Sequence, residues 1–191
     1  VMNTNIDYLI VGGGLAGSIL GWRLLHQGAR VLIVDNKPAV NASRTAAGLI
    51  NPITGKRLVK TPNFETLQQE ALRLYRELEQ QFSKELYFEM PLVRLFRSAE
   101  GVQTLEKRRR DESYQLYIGD LIQSGVAPFN APFGGFEIRQ AGYLDTTRLL
   151  DTLHHYFVQQ GVLIQAGFEY DDLTIGESEL SWHGHHAQKV I

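Results

Sequence analysis

Gly12, Gly14 and Gly17 stand in the run Gly12-Gly13-Gly14-Leu15-Ala16-Gly17, which closes a short apolar stretch. Glycines at these offsets suit the binding of a diphosphate. The first permits a sharp turn, the second lets the backbone approach a pyrophosphate, and the third lets a helix pack tightly on the strand before it. Free N–H groups and a partial positive charge at the helix start add to the attraction. Asp35 lies about 20 residues further on, where a carboxylate accepts hydrogen bonds from an adenosine ribose. A 2′-phosphate would be repelled there, so FAD or NAD is favoured over NADP.

The elements that must hold these residues are legible around them. Ile6, Tyr8, Leu9, Ile10 and Val11 read as a buried strand ending at the glycines. Leu15, Ile19, Trp22 and Leu25 recur at helical spacing, and Gly28 stops the helix. Val31 to Val34 form a second strand closed by Asp35, completing a βαβ unit. A glycine-rich turn that binds nothing is the bland alternative; strand, motif, helix, strand and acid in register favour the dinucleotide.

Residues 37–62 are punctuated by Pro38, Asn41, Ser43, Gly48, Pro52, Gly55 and Pro62 and read as loop. Phe64 to Phe82 reads as an amphipathic helix, and Leu86 to Phe88 and Leu92 to Phe96 as short strands. The stretch from Glu106 to Glu112 is expected to be a solvated helix, and Phe133 to Arg139 a strand running into Gly142, Tyr143 and Leu144. Asp145 or Thr146 caps a helix through Phe157 that Gly161 ends, and Val162 to Ile164 supplies a third core strand. Leu173 to Ile175, Leu180 to Trp182 and Val190 to Ile191 form an antiparallel meander with turns at Gly176 and Gly184.

Composition excludes several chemistries. The chain has 191 residues, 43% hydrophobic and 21% charged, so it buries a substantial core. Without cysteine it has no disulfide, thiolate metal site or cysteine nucleophile. A net charge of -2 argues against nucleic-acid or membrane-surface binding at the level of the whole chain. No apolar run approaches the ~18 residues of a membrane helix, and a soluble cytoplasmic protein is expected. Val1, ahead of Met2, reads as lying outside the native start.

Other constellations have simpler explanations. His183, His185 and His186 around Gly184 fit a hairpin with alternating side chains, and no metal site is expected. The basic run Lys107 to Arg110 is flanked by Glu106, Asp111 and Glu112 and reads as a solvated face. The stretch Gly48 to Lys56 lacks Walker A spacing, with Arg57 where Ser or Thr is required. The acidic pairs Asp171 with Asp172 and Glu177 with Glu179 are expected to face water, and no Ser, His, Asp triad can be assembled.

The third core strand comes far later than in a simple NAD domain, where it follows the second strand closely. That layout, with Ser43-Arg44-Thr45-Ala46-Ala47-Gly48, Gly142-Tyr143-Leu144-Asp145 before a helix, and Gly161 to Leu173, resembles the D-amino acid oxidase and glycine oxidase superfamily of FAD-dependent oxidoreductases. The resemblance implies an α/β fold: a Rossmann-like FAD/NAD(P)-binding βαβ core with a long α+β insertion and a β-meander near the C-terminus. Residues 2–40 and 146–191 would form the FAD-binding domain, incomplete at its C-terminus. Residues 41–145 would be an insertion supplying the flavin loop and part of a substrate domain.

By the same resemblance Gly12, Gly14, Leu15, Ala16 and Gly17 meet the pyrophosphate, and Asp35, Asn36 and Lys37 the adenosine. Ser43, Ala46, Ala47 and Gly48 line the approach to the flavin. Tyr170 stands where the family usually has a Val whose backbone meets the adenine, and Asp35 replaces the more usual Glu. Such proteins continue through a second half, so an N-terminal half with weak or absent FAD is implied. The implied reaction oxidises a small amine or amino acid by hydride transfer to flavin, an Arg holding the substrate carboxylate. Arg94, Arg97 and Arg139 are candidates for that role, which is left open, as are the catalytic residues and the oligomeric state. An NAD-dependent dehydrogenase and a noncatalytic dinucleotide-binding module are the alternatives.

Overall fold

The computed structural model describes residues 5–36, 41–125, 130–176 and 179–191. Lys37 and Glu177 lie outside the described residues, as do Val1 and Met2. In chain order the elements are β1 (Asn5–Val11), α1 (Leu15–His26), β2 (Val31–Val34), α2 (Ala42–Thr45), β3 (Leu49–Ile50), β4 (Ile53–Thr54), β5 (Val59–Lys60), α3 (Phe64–Phe82), β6 (Tyr87–Glu89) and β7 (Leu92–Leu95). They continue with α4 (Ala99–Arg109), β8 (Ile118–Ile122), β9 (Gly135–Ile138), β10 (Gly142–Leu144), α5 (Thr146–Gln160), β11 (Leu163–Ile164), β12 (Leu173–Ile175), β13 (Leu180–Trp182) and β14 (His185–Val190). The chain divides into two compact units, 1–46 with 146–191, and 47–145. Their boundary falls after Ala46, so residues 41–46 group with the first unit.

The first unit is built on a six-stranded sheet of order β11-β2-β1-β14-β13-β12. β1 pairs in parallel with both β2 and β14, and β2 with β11. All four residues of β2 are buried, as an apolar run covered on both faces requires. Gly21 lets α1 sit down on the sheet, since a Cβ there would lie 2.7 Å from Ile33 Cδ1. α5 packs beside α1 and buries Leu149, Leu150, Leu153 and Phe157, the apolar stripe its periodicity announces. Gly28 and Gly161 end their helices at φ +82° and +67°, the left-handed conformation a helix stop needs.

The meander β12-β13-β14 is antiparallel, as expected. β14, however, begins at His185 and not at Val190, and its register with β1 runs from Asn5 opposite His186 to Leu9 opposite Val190. Polar residues hide this strand from pattern reading; its parallel neighbour creates it. His183 and Gly184, both at positive φ, make the two-residue turn that leads into it.

The second unit holds α3, whose 19 residues match the expected span and bury Phe64, Tyr75 and Leu78. Two three-stranded antiparallel sheets, β3-β10-β6 and β7-β9-β8, and the hairpin β4-β5 complete it. Ile53, Leu58, Phe64, Tyr117, Phe136 and Ile138 share one core. Three expectations are corrected here. The supposed loop 37–62 contains, in its described part, α2 and the two-residue strands β3, β4 and β5, too short for any periodic signal. Gly142 to Leu144 does not continue the strand before it but joins β3 and β6 in a different sheet. β8 was not expected, because Gly119 and Asp120 are poor strand residues. It pairs irregularly with β9, where a Cβ on Gly119 would lie 2.9 Å from that of Glu137.

Candidate dinucleotide site

The glycine run leaves β1 and enters α1 at the expected bend, and each glycine has a separate physical reason to be there. Gly12 sits at φ +101°, where an L side chain is strained, and its N–H donates to Val34 O at 2.8 Å, tying the turn to the end of β2. Gly13 lies directly under Asp35: a Cβ on it would be 2.9 Å from the carboxylate Oδ2. Gly14 is the extended N-cap of α1, with no side-chain cap. A Cβ on Gly17 would be driven into the carbonyl oxygen of Gly12 and lie 3.3 Å from Ile10 Cγ2, so the close packing of helix on strand depends on its absence.

The start of α1 is arranged for an anion. Its first turn carries no acidic side chain, and among the described residues the N–H groups of Gly14, Ala16 and Gly17 have no acceptor. The N–H of Leu15 donates to Ser43 Oγ at 3.0 Å, a hydroxyl brought in by α2. α2 is held by its Asn41 cap, whose Oδ1 accepts from Arg44 N at 2.8 Å, and by the Arg44–Asp151 ion pair at 2.6 Å to α5. Ser18, buried one turn on, donates to Gly13 O at 2.9 Å and braces the loop from beneath. Asp35 is fixed at the other rim through its own N–H, which donates to Ile164 O at 3.0 Å. The set of open amides, a hydroxyl and a carboxylate over the glycine turn suits a diphosphate with a ribose attached.

Gly12, Gly13, Gly14, Leu15, Ala16, Gly17, Asp35 and Ser43 therefore converge. Asn36 follows Asp35 and is exposed. Ser43, expected on the flavin approach, places its hydroxyl at the first amide of α1. Ala46 ends α2, and its carbonyl accepts from Thr146 Oγ1 at 3.3 Å. Ala47 and Gly48 open the second unit; Gly48 has φ +66°, and a Cβ there would collide with Leu144 O. Tyr170 is 84% exposed on a single 3-10 turn, its ring edge-on to Phe168 at 5.6 Å. Sequence reasoning overlooked Gly13 and Ser18. The run of three consecutive glycines pointed to the first, while nothing local marks the second.

The candidate arginines differ in their surroundings. Arg139 lies 3.2 Å from Asp120, whereas Arg94 Nη2 donates to Gly55 O at 2.7 Å and has no carboxylate partner among the described residues. Burial first, and then the nearby charge of Arg97, lower the Arg94 pKa. His183 and His186 lie 3.0 and 3.2 Å from Asp172 and Glu179. Among the described residues no group of three or more metal-ligating side chains assembles, and no helix is long and apolar enough to cross a membrane.

The parallel sheet, the glycine turn and the acid at the end of β2 define a Rossmann-like α/β protein of the dinucleotide-binding class. The chain belongs to the FAD dependent oxidoreductase (DAO) family, whose sequence profile matches residues 7–191. It is 28% identical over 125 residues to the uncharacterized oxidoreductase YurR of Bacillus subtilis (strain 168), covering 61% of this chain and 32% of that protein. Among solved structures it resembles glycine oxidase from Bacillus cereus ATCC 14579, with a TM-score of 0.73 at 19% identity over 97% of this chain and 54% of the other. It also resembles iminodiacetate oxidase from Chelativorans sp. BNC1, with a TM-score of 0.71 at 20% identity over 91% and 50% of the two chains. The chain thus spans about a third of the curated relative and half of these structures. At such identities the structural likeness speaks for the fold.

Proposed function

We propose that this chain is the FAD-binding portion of an oxidase acting on a small amine or amino acid. The carrying observation is the Asp35 carboxylate standing over Gly13 beside the open amides of α1. The family and the printed names of the structural relatives support the class of substrate. In this reading the amides of Gly14, Ala16 and Gly17, with Gly12 and Leu15 shaping the turn, hold the pyrophosphate. The Ser43 hydroxyl, already accepting from Leu15, turns its own proton toward the anion.

Asp35 accepts from the ribose, with Asn36 and Lys37 completing the adenosine side and the Tyr170 backbone meeting the adenine. Ala46 and Ala47 would let a flavin come close to their backbone, and Gly48, already required as glycine by its φ of +66° and by Leu144 O, would lie on the same approach. Bound FAD would supply the hydride acceptor, N5 of the flavin ring. The protein's own part is to orient the substrate carbon and to neutralise its carboxylate.

The test is the visible spectrum of the natural full-length protein before and after anaerobic addition of a panel of amino acids and amines. A yellow protein whose flavin band bleaches with one of them is expected. A protein that stays colourless with added FAD overturns the reading, and turnover with NAD alone would favour a nicotinamide dehydrogenase.

A further inference from the structure

A cluster of cations in the second unit takes no part in the dinucleotide site. The tip of the hairpin β4-β5 reads Gly55-Lys56-Arg57-Leu58, and two arginines from other elements grip its backbone. Arg94 of β7 donates from Nη2 to Gly55 O at 2.7 Å, and Arg108 of α4 donates from Nη2 to Arg57 O at 3.1 Å. Leu58 takes a left-handed φ of +50°, unfavourable for leucine, yet its side chain is 3% exposed in the core, so burial holds the turn in shape. The turn so fixed leaves Lys56 and Arg57 exposed. Lys60 Nζ and the Arg108 guanidinium lie 5.5 and 5.2 Å from the centre of the Tyr114 ring. They are therefore no more than about 11 Å apart across it.

Acids near this surface cover only part of it. Asp111 and Glu65 both feel Lys60, and Asp111 also feels Arg108. Lys56, Arg57, Arg94 and Arg97 have no carboxylate partner among the described residues. Arg94 is half-buried beside Arg97, and like charges held together uncompensated are unfavourable unless an anion joins them.

We propose that the β4-β5 turn, with Lys56, Arg57, Arg94, Arg97 and Arg108, is a docking surface for the phosphate backbone of a nucleic-acid strand. The cations come from the turn, from β7 with the residues after it, and from α4, a spread that suits a chain of phosphates better than a single anion. Leu58 of the turn is buried and Val59 after it is 46% exposed, which leaves a single apolar side chain here for a lipid surface. The Arg57 guanidinium, presented on this fixed turn, can match phosphate oxygens in two-pronged fashion. The net charge of -2 is a sum over the whole chain and does not describe this face. Arg94 and Arg97 are shared with the candidates for a substrate carboxylate, but Lys56 and Arg57, on which the test rests, belong to no part of the flavin reading, so the two stand or fall separately.

The probe is a fluorescent single strand of about 20 nucleotides, longer than the ~16 one fold covers, titrated with the 191-residue protein by anisotropy. Binding that weakens steeply with salt is expected. The double variant Lys56→Gln with Arg57→Gln removes no side-chain hydrogen bond in the described structure and leaves the melting temperature unchanged. It should raise Kd at least tenfold and reduce the salt slope by about 1.4, that is about 0.7 for each phosphate no longer neutralised. A control pair, Arg109→Gln with Arg110→Gln, removes the same charge at the end of α4 and should matter much less. The proposal is overturned if the wild type does not bind at low salt, or if the two double variants weaken it equally. It is also overturned if anionic vesicles are bound in preference to the strand.

Discussion

At the scale of single residues, the most instructive position is Gly17. An alanine there would press its methyl into the carbonyl oxygen of Gly12 and against Ile10, both parts of a turn that Val34 and Ser18 already hold. Neither backbone can yield without opening the glycine loop. Gly17→Ala should cost about 2 kcal/mol of stability, measured by urea unfolding, and should abolish retention of a dinucleotide. Gly28→Ala carries a strained φ but meets no neighbour, and should leave that retention intact. Sequence spacing already assigned Gly17 this packing duty; what spacing could not say is that Gly12 itself is the group it packs on. Ser18 illustrates the opposite case, because a serine inside an amphipathic helix has no local mark of the hydrogen bond it makes to Gly13.

At the scale of elements, α3 and the segment ahead of β8 are latched by Tyr117, whose hydroxyl donates to Glu65 in the first turn of α3. Tyr117 is 1% exposed and packs edge-on against Phe64 at 5.9 Å. Burial first, and then the Glu65 hydrogen bond, push its pKa up from 10.0 to about 12. The same hydrogen bond lowers the Glu65 pKa. A raised pKa means that the folded state keeps a proton which the unfolded chain gives up, so the latch's contribution is complete below pH 10 and disappears as pH rises through about 12. The urea midpoint should fall across that window, and Tyr117→Phe should flatten the fall. An unchanged profile in the phenylalanine variant would show that Tyr117 does not titrate with unfolding. The helix itself was legible from Phe64 to Phe82 because its apolar stripe is a local property. Its partner was not, since β8 contains Gly119 and Asp120 and exists only where β9 offers a register.

At the scale of the whole molecule, β1 and β2 are the centre of the first unit. β1 lies between β2 and β14, β2 lies between β1 and β11, and Leu9, Ile10 and Ile33 are at most 1% exposed. Their amides should exchange with solvent most slowly of all, while those of the edge strand β12, where Ile175 is 74% exposed, should exchange early. Hydrogen exchange followed by mass spectrometry checks this order; early exchange in β1 would mean that the parallel pairing with β14 is not the stable core of the unit. Parallel strands so distant in sequence close large loops, which is why no window of sequence could announce the pairing.

What the sequence determined by itself is therefore local and periodic: the βαβ unit with its glycine turn and terminal acid, the two long amphipathic helices, and their glycine stops. From these, with the late third strand, the fold class and the family could be read. Only the tertiary structure decided that β14 lies against β1, that the Ser43 hydroxyl accepts from the first amide of α1, and that two distant arginines grip one basic turn. The physical reason is the same in each case. Helical periodicity and turn chemistry are fixed by neighbours along the chain, whereas a short polar strand, a hydroxyl on an amide or a guanidinium on a carbonyl acquires its role only when a remote partner arrives.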